Sequence, residues 1–258
     1  MLIDPGPESS LDTLVSALGD RPPRAVLLTH IHLDHAGAAG ALVRRWPEVA
    51  VYVHEIGAPH LVDPAKLLAS ARRLYGEDME RLWGEVLPVP QANLRALNGG
   101  ETVEGFRVAY TPGHASHHVS YLHQETGRAF VGDVAGVQIE RGGLVLTPTP
   151  PPDVDVEAWN ASLSLVARWR PASLGITHFG AIEPVYDHLA TVRDRLAAWA
   201  TLGRELDGPA FEAHVREEIA ASGDPAAYEQ ACPPEQQWLG LDRYWRKRAQ
   251  APTAASAD

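Results

Sequence analysis

Thr29-His30-Ile31-His32-Leu33-Asp34-His35 follows directly on an apolar run, Arg24-Ala25-Val26-Leu27-Leu28, and leads into small residues beginning Ala36-Gly37. The run reads as a buried strand and residues 36–46 as a helix, so the motif sits where a strand hands over to a helix. Side chains two apart on extended backbone share a face, so His30 and His32 can reach one ion. The turn then aims Asp34 and His35 at a neighbouring point. Four side chains of ligand type therefore serve two adjacent ions. Neutral imidazole with carboxylate is a donor set that holds zinc while leaving a position for water. Histidines clustered this tightly have no packing rationale.

Two ions need more donors, and the chain supplies them further on. Thr111-Pro112-Gly113-His114, Val131-Gly132-Asp133 and Ile176-Thr177-His178 each stop a β-type run at a ligand-type residue. Strand ends collect on one edge of a sheet, which is where layered α/β scaffolds carry their sites.

The order of His30, His32, Asp34, His35, His114, Asp133 and His178, with Asp4-Pro5-Gly6 near the start, resembles the metallo-β-lactamase fold superfamily over residues 1 to about 183. That resemblance implies an α/β protein, a four-layer αββα sandwich with a C-terminal helical extension. It implies that His30, His32 and His114 bind one ion, that Asp34, His35 and His178 bind the other, and that Asp133 bridges them. Asp4 resembles an aspartate that orients the ligands. β-Lactamases of the superfamily generally lack the bridging aspartate, so Asp133 points away from antibiotic cleavage and toward glyoxalase II-like and lactonase-like hydrolases. In those the Thr-Pro-Gly-His motif is often followed by another histidine, matched here by His118, which would position a ligand. His117 is as well placed for solvent as for function.

Two divalent ions, Zn2+ first with Fe or Mn also compatible, lower the pKa of a bridging water enough to give hydroxide at neutral pH. Asp34 is then placed as the catalytic group that accepts and relays a proton. The expected activity is hydrolysis of a small-molecule ester, thioester or lactone. The alternatives are an iron-dependent sulfur dioxygenase-like enzyme, a phosphodiesterase or nuclease of the same superfamily, and a non-catalytic metal-binding protein.

The 258 residues, 45% apolar, suffice for one large domain. We expect a metallo-β-lactamase-like domain over 1–183, with a helical insertion at 59–97, a helical extension over 184–249 and a disordered tail at 250–258. Helices are expected over 10–18, 156–169, 185–202, 209–221 and 235–249, and strands over 24–29, 50–53, 106–110, 118–122, 129–131, 144–146 and 174–177. After His178 the chain reads as nearly all helical.

One cysteine, Cys232, excludes an internal disulfide and thiolate metal clusters. It reads as structural. A net charge of −11 argues against nucleic acid as a partner. No long apolar run or leader pattern is visible, so a cytoplasmic address and no membrane association are expected. Two lysines against twenty arginines fit a GC-rich bacterial genome. In the family the Asp-Pro-Gly segment usually follows two or so strands, whereas here it begins at residue 4. An uncovered sheet edge invites pairing, so lowered stability or a homodimer is expected. The insertion and the C-terminal helices are the expected substrate walls, with Arg72, Arg73, Tyr75, Trp83 and Phe179 as candidates. His54 could border the site at a strand end. His60, His123, His188 and His214 have no partner motif.

Overall fold

Alternation of side chains along the first strands sets the layers. The computed structural model describes residues 1–19, 21–178 and 180–250. Strands β1 (Leu2–Ile3), β2 (Ala25–Leu27), β3 (Ala50–His54) and β4 (Leu94–Leu97) form a wholly parallel sheet in that order. Ala25 and Leu27 of β2 turn inward to meet Phe106, Val108 and Tyr121 of the second sheet. Val26 and Leu28 turn outward, against Leu42 and Val43. Burial on both faces is why β2 is apolar throughout.

Helices α1 (Leu11–Leu18), α2 (Leu33–Ala36), α3 (Ala39–Arg45) and α4 (Ala58–Val62) alternate with these strands. The expected single helix over 36–46 is two pieces, α2 and α3. Ala38 N–H donates to Gly6 O at 2.9 Å, across to the loop after β1, so the helical ladder is interrupted there. The insertion carries α5 (Ala65–Tyr75) and α6 (Met79–Trp83). Its expected end is corrected: residues 94–97 are β4, paired with Val51–His54. A four-residue apolar run lacks the length to separate strand from helix by periodicity.

The second sheet holds β5 (Thr102–Val103), β6 (Phe106–Tyr110), β7 (Val119–His123), β8 (Arg128–Phe130), β9 (Ser173–Ile176) and β10 (Gly180–Ile182), ordered β10-β9-β8-β7-β6-β5. All its pairings are antiparallel except β8 with β9. Residues 144–146 form no strand; Leu146 makes only an isolated bridge to Val137. β10 corrects the expectation that the chain is helical after His178. It returns at once along β9, and three residues are too few to show a period.

Helix α7 (Val156–Arg168) covers the outer face of this sheet with Trp159, Leu163 and Val166, joined by Leu189 and Val192 of α8 (Val185–Glu205). The order is therefore helix, sheet, sheet, helix. The helices α9 (Gly208–Ala220), α10 (Pro225–Ala231) and α11 (Pro234–Gln250) pack with α8 around Trp199, Phe211, Val215, Tyr228 and Cys232. α10, not foreseen, begins where the Asp224 carboxylate accepts from Ala227 N–H at 3.1 Å. Gln250 is the last residue of α11, and the rest of the expected tail, 251–258, lies outside the described residues. Among the described residues no helix is long and apolar enough to cross a membrane.

Candidate metal centre and the cavity above it

The site is assembled where β2, β6, β8 and β9 end. His32 stands ahead of α2 in extended conformation (φ −60°, ψ 151°), which turns the chain so that Asp34 and His35 fall on the first helical turn. His114 lies in the loop after β6, Asp133 in a short helical turn (Gly132–Ala135) after β8, and His178 just beyond β9. Gly132 precedes Asp133 at φ +46°, and a Cβ there would stand 2.5 Å from Thr29 Oγ1 and 2.7 Å from His118 Nε2. Only glycine allows that approach.

Two groups of donor atoms result. His30, His32 and His114 form one; Asp34, His35, Asp133 and His178 form the other, and within each the ligand atoms lie within 4.8 Å of one another. His30 Nε2 and His114 Nε2 approach His32 Nδ1 at 3.0 and 2.9 Å. Asp133 spans both groups: Oδ1 is 3.2 Å from His35 Nε2 and 3.5 Å from His178 Nε2, while Oδ2 is 3.5 Å from His114 Nε2. Asp34 Oδ2 lies 3.4 Å from His35 Nε2 and 3.5 Å from His178 Nε2.

Hydrogen bonds behind the rings fix which nitrogen faces the centre. Asp4 Oδ2 accepts from His35 Nδ1–H at 2.9 Å, turning Nε2 toward the centre. Pro148 O does the same for His114 Nδ1–H at 2.8 Å. Thr29 Oγ1 lies 2.7 Å from Asp4 Oδ2 and 3.0 Å from His30 Nδ1. Its single proton must go to the carboxylate, which only accepts, so His30 Nδ1–H donates to Thr29 and His30 Nε2 carries the lone pair. Asp4 also accepts from Thr29 N–H at 2.7 Å and Thr177 Oγ1–H at 3.2 Å. It adopts φ +47°, a left-handed conformation that aspartate enters more readily than most residues.

These atoms fit a cation. His35 Nε2, His178 Nε2 and Asp133 Oδ1 are buried with no hydrogen-bond partner. Buried polar atoms left so are costly, and three of them aimed at one point, beside three convergent imidazoles, are the donor set of a divalent metal site. The field agrees. Burial, reinforced by neighbouring His35, holds His30 well below the ordinary imidazole pKa, and burial with nearby His114 brings His32 down to about 4. Burial opposes charge on His35 too, but Asp133, Asp34 and Asp4 outweigh it and raise its pKa. Burial likewise works against ionised Asp34 and Asp133, yet His35 and His178 hold both below the usual carboxylate range.

A cavity of about 940 Å³ opens over this floor, lined by His32, Asp34, His114, Asp133 and His178 below. Its walls come from α5 and α6, from residues 148–152, and from α10 and α11. Tyr75 Oη–H donates to Gln236 Oε1 at 3.3 Å, tying the insertion to the last helix.

The structure brings the seven early-noted side chains together, with Asp4 behind them. His118 is buried; its Nδ1 meets Thr111 Oγ1 at 3.0 Å, and its ring stacks on His30 at 5.0 Å without a hydrogen bond to any of the seven. His117, open to either reading in the sequence, is buried, lines the cavity and accepts from Ile31 N–H at 3.4 Å. It precedes β7, so strand alternation does not govern it. Of the expected wall residues, Tyr75 and Trp83 line the cavity, Arg72 and Arg73 are exposed away from it, and Phe179 lies outside the described residues. Lys66, Arg81, His60 and Gln236 line it without having been singled out for it. His54 stacks on Tyr110 at 4.4 Å and is not part of the lining. Thr29 was quoted only as the head of its motif; its role becomes visible through donor counting.

A family model described as the metallo-beta-lactamase superfamily matches residues 1–178. A metallo-beta-lactamase fold-containing protein of Sulfurisphaera tokodaii is 31% identical over 166 residues, 62% of this chain and 61% of that protein. A hydroxyacylglutathione hydrolase of Legionella pneumophila is 28% identical over 135 residues, 51% of this chain and 41% of that protein. The chain thus spans less than two thirds of the length of these relatives. Among solved structures, an archaeal superfamily protein from Sulfolobus tokodaii superposes with a TM-score of 0.63 at 26% identity, covering 84% of this chain and 79% of the other. TTHA1623, solved in a di-iron-bound form, gives a TM-score of 0.54 at 30% identity, covering 73% and 84%.

Proposed function

The chain belongs to the metallo-beta-lactamase superfamily, and from that premise we propose that it is a dinuclear metallo-hydrolase that cleaves a small ester, thioester or lactone. The observation that carries this reading is the placement of Asp133, whose two oxygens face different histidine groups. A carboxylate so placed would be shared by two cations, were both groups loaded. His30, His32 and His114 would hold one, and Asp34, His35 and His178 the other. A pair of divalent ions, when bound, acidifies water and polarises a carbonyl oxygen.

The remaining tasks fall to the chain. Asp4 and Thr29 orient His35 and His30 through their Nδ1 protons. His30, His35 and His114 are buried, so their rings cannot swing toward bulk water. Asp34, with 31% of its side chain exposed, is the carboxylate of the group most open to the cavity. It is placed to take a proton from water entering there and pass it to the leaving group.

Zinc is the metal proposed, and the di-iron form of TTHA1623 makes iron the second candidate. The test combines metal quantification on the purified protein with a panel of ester, thioester and lactone substrates. About two metal equivalents per chain and turnover of the panel are expected, and His32→Ala or Asp133→Ala should abolish turnover while leaving the circular dichroism spectrum intact. Full activity in either variant sinks the assignment.

A further inference from the structure

The cavity has two chemical zones. Its lining joins the polar centre described above to apolar side chains, Leu67, Leu74 and Trp83 from the insertion with Ile139, Pro150 and Ala231 from later in the chain. Of the charged side chains that line the cavity away from the polar centre, all but Lys66 are paired within the protein. Asp78 accepts from Arg81 at 3.0 Å, and Glu229 and Glu235 accept from Arg216 at 3.0 and 3.3 Å. Lys66, the other lysine or arginine among the described lining residues, is exposed. A substrate carrying several carboxylates would lose their hydration here with the exposed Lys66 as the one lysine or arginine of the described lining not already paired to an acid. An apolar chain would gain by leaving water.

Resting on the hydrolase reading for the bond that is cleaved, we propose that the cavity takes an ester, thioester or lactone whose acyl part is an uncharged apolar chain. The chain lies against Leu67, Leu74 and Trp83, with the carbonyl at the polar floor. At about 940 Å³ the cavity sits near the upper end of the roughly 300–1,000 Å³ typical of small-molecule sites, so an extended acyl group is accommodated. Much of the wall, from α10 and α11, falls beyond the matched residues 1–178, so the acyl preference of a relative named for glutathione thioesters does not carry over with the ligands.

Two measurements on the metal-loaded protein test this. The first is kcat/KM on p-nitrophenyl esters of straight-chain acids from two to ten carbons, with a hydroxyacylglutathione thioester for comparison. We expect a rise of about fourfold per added methylene until the cavity fills. Leu74→Asp, or the milder Leu74→Ser should the first fail to fold, should cost the long esters at least tenfold more than the acetyl ester. The second is calorimetric binding of straight-chain carboxylates, whose Kd should fall with length in the same way. A flat or falling series in both assays, or preference for the glutathione thioester, overturns the apolar-chain proposal while leaving the hydrolase reading intact. Graded binding with no ester turnover supports the chain site and rejects the hydrolase reading.

Discussion

Thr29 gives Asp4 both of its protons, the backbone N–H to Oδ1 at 2.7 Å and the hydroxyl to Oδ2 at 2.7 Å. One carboxylate thereby reaches histidines of both donor groups, His35 directly and His30 through the threonine oxygen.

Thr29→Val keeps the shape and removes the relay. His30 Nδ1–H is then buried without an acceptor, a loss of about 1–3 kcal/mol in stability. Chelator competition should show weaker metal retention, and Thr29→Ser should restore it. A valine variant that holds metal as tightly as the parent would show that the donor chain does not matter.

Asp4→Asn tests the carboxylate itself. Asparagine tolerates the left-handed backbone at position 4, so the change isolates the charge from the strain. Metal affinity should fall about 10- to 100-fold with the fold retained. Equal affinity at matched pH would remove Asp4 from the ligand-orienting role.

Tyr75→Phe cuts the tie between the insertion and α11. Burial pushes the Tyr75 pKa up, so its hydroxyl remains a donor throughout the working range. The loss should be about 0.5–1.5 kcal/mol in stability, with KM rising for bulky substrates more than kcat falls. An unchanged KM across substrate sizes would mean the two walls hold together without this contact.

The metal-free protein should be most stable near pH 6.5, about the ordinary imidazole pKa. Burial lowers the folded-state pKa of His30, His114, His117 and His118, and takes His32 to about 4. Below about 6.5 the unfolded chain binds protons that these groups refuse, so stability falls with pH, for His32 down to about 4. His35 and His178 are raised, against burial, chiefly by Asp133. Their contribution is full below about 6.5 and is lost as pH rises through their folded values. Urea unfolding after chelation, at pH 5, 6.5 and 8, should show the maximum in the middle. A monotonic trend would contradict this assignment.

The convergence of the seven donor side chains was legible because ligand-type residues at strand ends have few competing explanations. His30 and Asp133 announce themselves by company, each beside a β-type run that stops. β4 and β10 were hidden because four and three residues carry no usable period, and α10 because its start is a local cap on Asp224. The cavity walls were legible only as regions. Arg72 and Arg73 share a helix with Leu67 and Leu74, and which side meets the cavity is decided by packing of Leu67, Leu68 and Ala71 on Leu33 and Trp83, with one tie to α11, 161 positions away, at the Tyr75–Gln236 contact. His117 was open to either reading because a loop, not a strand, sets its direction.

His178 lies 143 positions after His35, yet both face Asp133 Oδ1. At roughly 5–20 residues per second of synthesis, the first four donors leave the ribosome about seven to thirty seconds ahead of their last companion. An ion captured in that interval would be held by an unfinished cradle and open to exchange, which would give the metal pool around the nascent chain a window in which to compete before the last donor arrives.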